Sequence, residues 1–189
     1  MTTEPWKTEI RREIPEGTYS ISLTGHRPAV LDGYDLSTPF YRKLEAGLHH
    51  IAERALERYG AVQLHSGMAL GADTVWSKAA LRLRDEHPEE VYFVAEVPVL
   101  TQPDRWVGTK DKALWQEHVD TADMLRVYGE SYSVGFLHAR NQGMIEAANL
   151  LLAVWNGSTS GGTAGAVRYA EKIGRKTHRI DPDGLKAKL

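Results

Sequence analysis

AVQLHSGMALGAD, residues 61–73, joins an apolar-flavoured run to two glycines, small side chains and one carboxylate. VQLHSG reads as a strand. From Asp73 to about Glu86, Val75, Ala79 and Leu83 recur at helical spacing, so a helix follows at once. In the turn between them, Ser66–Asp73, bulky side chains are held back from the chain's own backbone. Something is expected to approach it closely there.

The same unit repeats on both sides. YSISLTG, Tyr19 to Gly25, predicts a strand. Phe40, Leu44, Leu48, Ile51, Ala55 and Tyr59 predict a helix, which Thr38-Pro39 opens. VYFVAEVPV, Val91 to Val99, is strongly β-prone. After the loop LTQPDRW come a helix near Lys110 to Asp123, the strand MLRVY and a helix from about Phe136 to Asn149. LLLAVWNG, Leu150 to Gly157, predicts a strand buried on both faces, the segment from Gly161 to Gly174 holds the last helix, and THRID the last strand. Alternating strands and helices, with several strands continuously apolar, imply an α/β fold: a single Rossmann-like, doubly wound domain over residues 18–189, its mostly parallel sheet flanked by helices. Residues 1–17 are polar with two prolines and are expected to form an N-terminal arm with little structure of its own.

Bulk properties narrow the function. The 189 residues are 42% apolar and carry a formal net charge of -2, so no global basic field exists to hold a nucleic-acid polymer, and an anionic partner must be held locally. The chain has no cysteine, which removes disulfides, thiolate metal sites and cysteine nucleophiles. Its eight histidines show no H-x-x-x-H or H-E-x-x-H spacing, so no metal site and no cofactor is expected. No apolar run is long enough to span a bilayer and the N-terminus offers no signal-peptide core; the expected compartment is the cytoplasm, with no membrane partner.

In doubly wound folds ligands sit beyond the carboxyl ends of the strands. Those ends read TGHRP, SGMALGAD, EVPVLTQPDRW and NGSTSGGT. Three of the four are rich in glycine or hydroxyls, and amides at the helix starts that follow attract anions, so the loops are expected to form a phosphate cradle. Neither familiar nucleotide motif is present. Gly25 is followed by His26, Arg27 and Pro28, not by G-x-G-x-x-G, and no lysine lies between Gly157 and Gly162-Thr163 to make a P-loop.

Taken together, TGHRP, SGMALGAD and RNQGMIEAANLLLAVWNGSTSGGT resemble, in this order, the SMF/DprA and LOG superfamily, also called SLOG, and in particular its YpsA/YspA-like branch. The resemblance runs from about Ser20 to Asp181. It implies a Rossmann-like fold and a pocket for nucleotides or nucleotide-derived ligands such as ADP-ribose, NAD or a cyclic or modified nucleotide. Carried onto this sequence, it implies ligand contacts from Gly25, His26, Arg27, Ser66, Gly67, Met68, Gly71, Asp73, Arg140, Asn141, Gly161, Gly162 and Thr163. Relatives in the superfamily pair, so a homo-oligomer is one expectation; Trp115 and Phe136 fit either such a seam or the core.

The LOG-type phosphoribohydrolases of that superfamily carry a signature similar to H-x-R-K-x-x-M followed by P-G-G-x-G-T-x-x-E. His138, Arg140 and Met144 match its first part, with Asn141 in place of lysine. Gly161, Gly162 and Thr163 match the second part in abbreviated form, and its acidic position falls on Ala166, Val167 or Arg168. The carboxylate that would stabilise cationic charge on a ribose is missing there. Two classes therefore stay open. One is a sensor or sequestering module that binds a nucleotide derivative. The other is a nucleotide N-glycosidase in which Asp73 supplies the carboxylate beside Arg140 as the catalytic pair, with Glu96 a more distant candidate. SGMALGAD is also similar to the S-G-x-A-x-G-x-D segment of DNA-processing protein A, which implies single-stranded DNA as a third class; the lack of basic excess disfavours it.

Single residues carry competing roles. Asp73 is expected to bond ribose or to cap its helix; Arg27 to grip phosphate or to form a surface ion pair; Arg140 to meet phosphate or to form a structural ion pair with Glu146 or another nearby acid. Trp106 is a candidate for stacking on a base, while Trp76, Trp115 and Trp155 are assigned to the core or an interface.

Overall fold

The computed structural model describes residues 3–188. In chain order its elements are β1 (Lys7–Ile10), β2 (Tyr19–Gly25), α1 (Pro39–Tyr59), β3 (Val62–Ser66), α2 (Ala72–Glu86), β4 (Val91–Val97), α3 (Thr109–Thr121), β5 (Met124–Val127), α4 (Val134–Ala147), β6 (Leu150–Val154), α5 (Gly162–Lys172), β7 (Lys176–Ile180) and α6 (Pro182–Lys186). The strands form one sheet in the order β1-β5-β4-β3-β2-β6-β7. All neighbours are parallel except β1, which runs antiparallel to β5. This is the expected α/β, Rossmann-like architecture.

Two segments differ from expectation. Lys7–Ile10, within the arm expected to lack structure, is a β-strand, because pairing with β5 satisfies a polar segment whose own apolar pattern is too weak to announce it. The short α6 was not foreseen either; Asp181 caps it by accepting from the Asp183 amide, and Pro182 sits at its first turn.

The sheet's two faces differ in kind. Toward α1, α2 and α3 it presents Ile21, Leu23, Leu64, Phe93, Val97 and Leu125, which pack with Phe40, Leu44, Trp76 and Trp115 into the main core. Trp76 is fully buried and its indole donates to the His65 carbonyl at 2.9 Å. Toward α4 and α5 the apolar cluster is small, with Ile145, Leu151, Ala166 and Ala170. There the buried sheet residues include Ser20, Ser22, His65 and Glu96. β4, buried at all seven positions, shows why its sequence carries no alternation: both faces are covered.

After β2 the chain steps outward through β3, β4 and β5, then returns through α4 to place β6 on the other side of β2. The loops leaving β2 and β6 therefore diverge at adjacent strand ends, and a crevice opens between them.

Candidate functional site

A cleft of about 490 Å³ occupies that crevice. Nine of the expected site residues line it: Gly25, His26 and Arg27 after β2, Asp73 at the start of α2, Arg140 and Asn141 from α4, and Gly161, Gly162 and Thr163 where α5 begins. Thr24, Val30, Ala69, Asn156, Ser158 and Ser160 complete the wall. The last three belong to NGSTSGGT, whose hydroxyl-rich composition pointed at the loop without singling them out.

The four remaining expected contacts, Ser66, Gly67, Met68 and Gly71, lie behind the wall and do not line the cleft. Ser66 Oγ accepts from the Met68 amide at 3.2 Å and from Ser77 Oγ at 2.8 Å, so it is a buried strut. Met68 is buried in the core at φ 57°. A side chain at Gly67 would run into the Arg140 guanidinium and come 2.8 Å from Asp73 Oδ2. At Gly71, which has φ 98°, a Cβ would stand 2.5 Å from the His26 carbonyl oxygen. The glycines of the opening stretch make room for the protein's own parts. By contrast, nothing lies within 4 Å of the corresponding position at Gly161 or Gly162.

The Arg140–Asp73 pair forms the floor. Arg140 is 4% exposed and Asp73 7%. Arg140 Nη1 donates to the Gly67 carbonyl, lies 3.4 Å from the Glu96 carbonyl and 4.0 Å from Asp73 Oδ2. Its Nε–H is buried and has no hydrogen-bond partner among the described residues. Of the acids considered as ion-pair partners for Arg140, Asp73 is the one beside it, while Glu146 accepts from Thr3 and Tyr169. Burial pushes the Asp73 carboxyl above its ordinary range, opposed by the charges of Arg140 and Arg27 and by the Ala69 amide, which donates to Oδ2 at 3.2 Å. Burial likewise lowers Arg140, opposed by Asp73. Asp73 is not the N-cap of α2; Gly71 holds that position and Asp73 sits in the first turn.

His26 ties the two loops of the crevice together, its Nε2 2.8 Å from Asn156 Oδ1. The Arg27 side chain is exposed and makes no hydrogen bond or ion pair among the described residues, so the surface salt bridge considered for it is not present. The first turn of α5 has no side-chain cap, leaving its leading amides without intrahelical partners at the cleft. Two cations, an uncapped helix start and several hydroxyls thus converge, with Asp73 the single carboxylate among the lining residues. Such a site suits an anion bearing hydroxylated groups.

Several candidates fall away. Trp106 packs on the core beside Met68, Trp115 and His118, away from the cleft, so it stacks on no base there. Trp76 and Trp115 are core residues. Trp155 is half-buried, its indole donating to the Ser158 carbonyl at 3.0 Å and Arg179 lying over its ring. His138 is exposed and Met144 buried; neither lines the cleft. Ala166 and Val167 are buried in α5, and Arg168 donates to the Thr159 carbonyl, so α5 brings no carboxylate to the cleft. No group of three or more metal-ligating side chains occurs among the described residues.

Glu96 is also absent from the cleft wall. It is wholly buried beneath α4, where it accepts from His65 Nδ1 at 2.7 Å and from the Tyr128 hydroxyl at 2.6 Å, with Arg126 Nη1 at 3.4 Å. Burial alone would raise its carboxyl, but the His65 bond and charge, then Arg126 and Tyr128, hold it below the ordinary range. A depressed carboxyl stabilises the fold above its unfolded pKa, and that contribution is lost as pH falls through the folded value. Glu96→Gln is therefore expected to cost about 2 kcal/mol at neutral pH. It should also flatten the acid limb of a stability–pH curve measured by urea unfolding.

No family model matches the chain. It is similar to an uncharacterized SPbeta prophage-derived protein, YoqJ, of Bacillus subtilis (strain 168), at 26% identity over 163 residues, covering 78% of this chain and 93% of that one. Among solved structures it is similar to DNA processing protein A (DprA) from Streptococcus pneumoniae, with a TM-score of 0.61 and 17% identity over 87% of this chain. The match spans 50% of that longer protein, and the likeness shows that the two share a fold.

Proposed function

We propose that the protein belongs to the SLOG superfamily, in its YpsA-like branch, and binds a nucleotide or nucleotide-derived small molecule at the β2–β6 crevice as a sensor or sequestering module. The observation that carries this is the convergence of unpaired Arg27, the buried Arg140 with its unpartnered Nε–H, and the open, uncapped start of α5 on one cleft. Phosphates lie against the α5 amides and Arg27, while Asp73 accepts from sugar hydroxyls.

The test is a thermal-shift and calorimetric panel of nucleotides, ADP-ribose and NAD. A true ligand at about 100 times its Kd stabilises the fold by about 2.7 kcal/mol. Arg27→Ala, an exposed substitution, is expected to leave the unliganded midpoint unchanged and weaken binding about 10-fold or more. A panel with no stabilising member would sink the proposal.

Asp73 favours a second reading. A buried carboxyl with a raised pKa, the one acid on the wall, is suited to assisting departure of a base from a nucleoside 5'-phosphate. Free base released by the wild type and absent in Asp73→Asn would establish that activity. DNA is the third reading, supported by the fold likeness to a DNA-processing protein; a steep salt dependence of single-strand binding would mark it.

A further inference from the structure

We propose that the edge strand β1 pairs with β1 of a second copy of this chain, extending one sheet through a two-fold homodimer. β1 closes one side of the sheet and, among the described residues, has a strand neighbour on its β5 side only. Its hydrogen-bond phase follows from the next residue along: the Arg11 amide donates to the Asp123 carbonyl at 2.8 Å, directly opposite in the register that aligns Lys7 with Val127 and Glu9 with Leu125. Lys7, Glu9 and Arg11 therefore direct their backbone groups at β5. Thr8 and Ile10 turn theirs outward.

An antiparallel copy must pair outward residues with outward residues, which leaves few registers. Centring the two-fold axis on Thr8 sets Thr8 against the partner's Thr8, Trp6 against the partner's Ile10, and Lys7 against the partner's Glu9. Shifting by one allowed step either way sets Lys7 against another Lys7, or Glu9 against another Glu9. One register alone among these matches opposite charges, and like charges directly opposite are destabilising.

The same register covers apolar surface. Trp6 is 55% exposed and Ile10 52%. Both stand on the sheet face that carries α4 and α5, where Trp6 borders a cleft with Tyr128 and Phe136 and, like Ile10, stays half exposed beside the free edge. Each Trp6 would lie beside the partner's Ile10, twice per dimer. A surface patch that is complementary to itself is the requirement of an isologous interface.

Sedimentation equilibrium of the full chain tests this with three variants. Wild type should show a concentration-dependent dimer. Lys7→Glu should raise its dissociation constant roughly tenfold or more, and Lys7→Glu combined with Glu9→Lys should restore it. Thr8→Pro removes an outward N–H that β5 does not use, so it should abolish the dimer while leaving the thermal midpoint of the monomer unchanged. If the proline variant fails to fold, the charge reversal and its restoration carry the test. A monomer at every attainable concentration overturns the proposal, as does a dimer indifferent to Lys7→Glu.

Discussion

Arg140→Met is expected to destabilise the protein by about 3–5 kcal/mol at neutral pH, because it strands the buried Asp73 carboxylate without its cation. For a chain of this length that corresponds to a fall in Tm of roughly 6–20 °C. The deficit has a defined pH dependence. A carboxyl whose folded pKa is raised contributes stability below its unfolded value, and loses it as pH rises through the folded value. Asp73 is already raised, and removing Arg140 raises it further. The variant's deficit should thus shrink toward acid and be greatest above neutrality, in guanidinium unfolding curves recorded across pH. Adding Asp73→Asn should return much of the loss, since the pair is then replaced as a pair. A single variant that unfolds like wild type at every pH would show that water, not Arg140, solvates Asp73. On the proposed function, nucleotide binding should vanish in both variants.

Gly71→Ala is expected to be nearly as damaging, for a different reason. Gly71 has φ 98°, and an added Cβ would stand 2.5 Å from the His26 carbonyl oxygen and 3.0 Å from Arg27 Cα. The strained backbone and the clash each cost about 1–3 kcal/mol. Here the Ala72 amide donates to the His26 carbonyl at 3.1 Å, joining the loops after β2 and β3. Alanine would push them apart and shift Arg27, so ligand affinity should fall along with stability. Differential scanning calorimetry with and without ligand measures both losses, and an unchanged midpoint would show that the joint relaxes freely.

The element pattern was legible because parallel strands covered on both faces, such as VYFVAEV, and striped helices, such as α1, are set by burial period. β1 escaped because an edge strand of alternating charge is shaped by its neighbour and carries no apolar signal of its own. The cleft was legible as a position, the carboxyl rim, and as the residues Arg27, Asp73, Arg140 and Gly161 to Thr163. Glycine was the ambiguous letter. At Gly67 and Gly71 it accommodates Arg140 and His26, whereas at Gly161 and Gly162 it faces open space. Composition cannot separate those uses, since each needs the absent side chain for a neighbour distant in sequence. Nor did spacing show that Glu96 points into a His65–Tyr128–Arg126 network instead of the crevice.

The clasp between His26 and Asn156 spans 130 positions of chain. Ribosomal synthesis delivers the first of these long before the second, and the intervening strands are laid down on one side only. A nascent or truncated product ending ahead of β6 therefore has half of the cleft, however well its earlier portion has condensed. Occupancy would act as a fastener between the early and late halves of the polypeptide, so protease nicking near the middle should be best tolerated when the molecule is loaded.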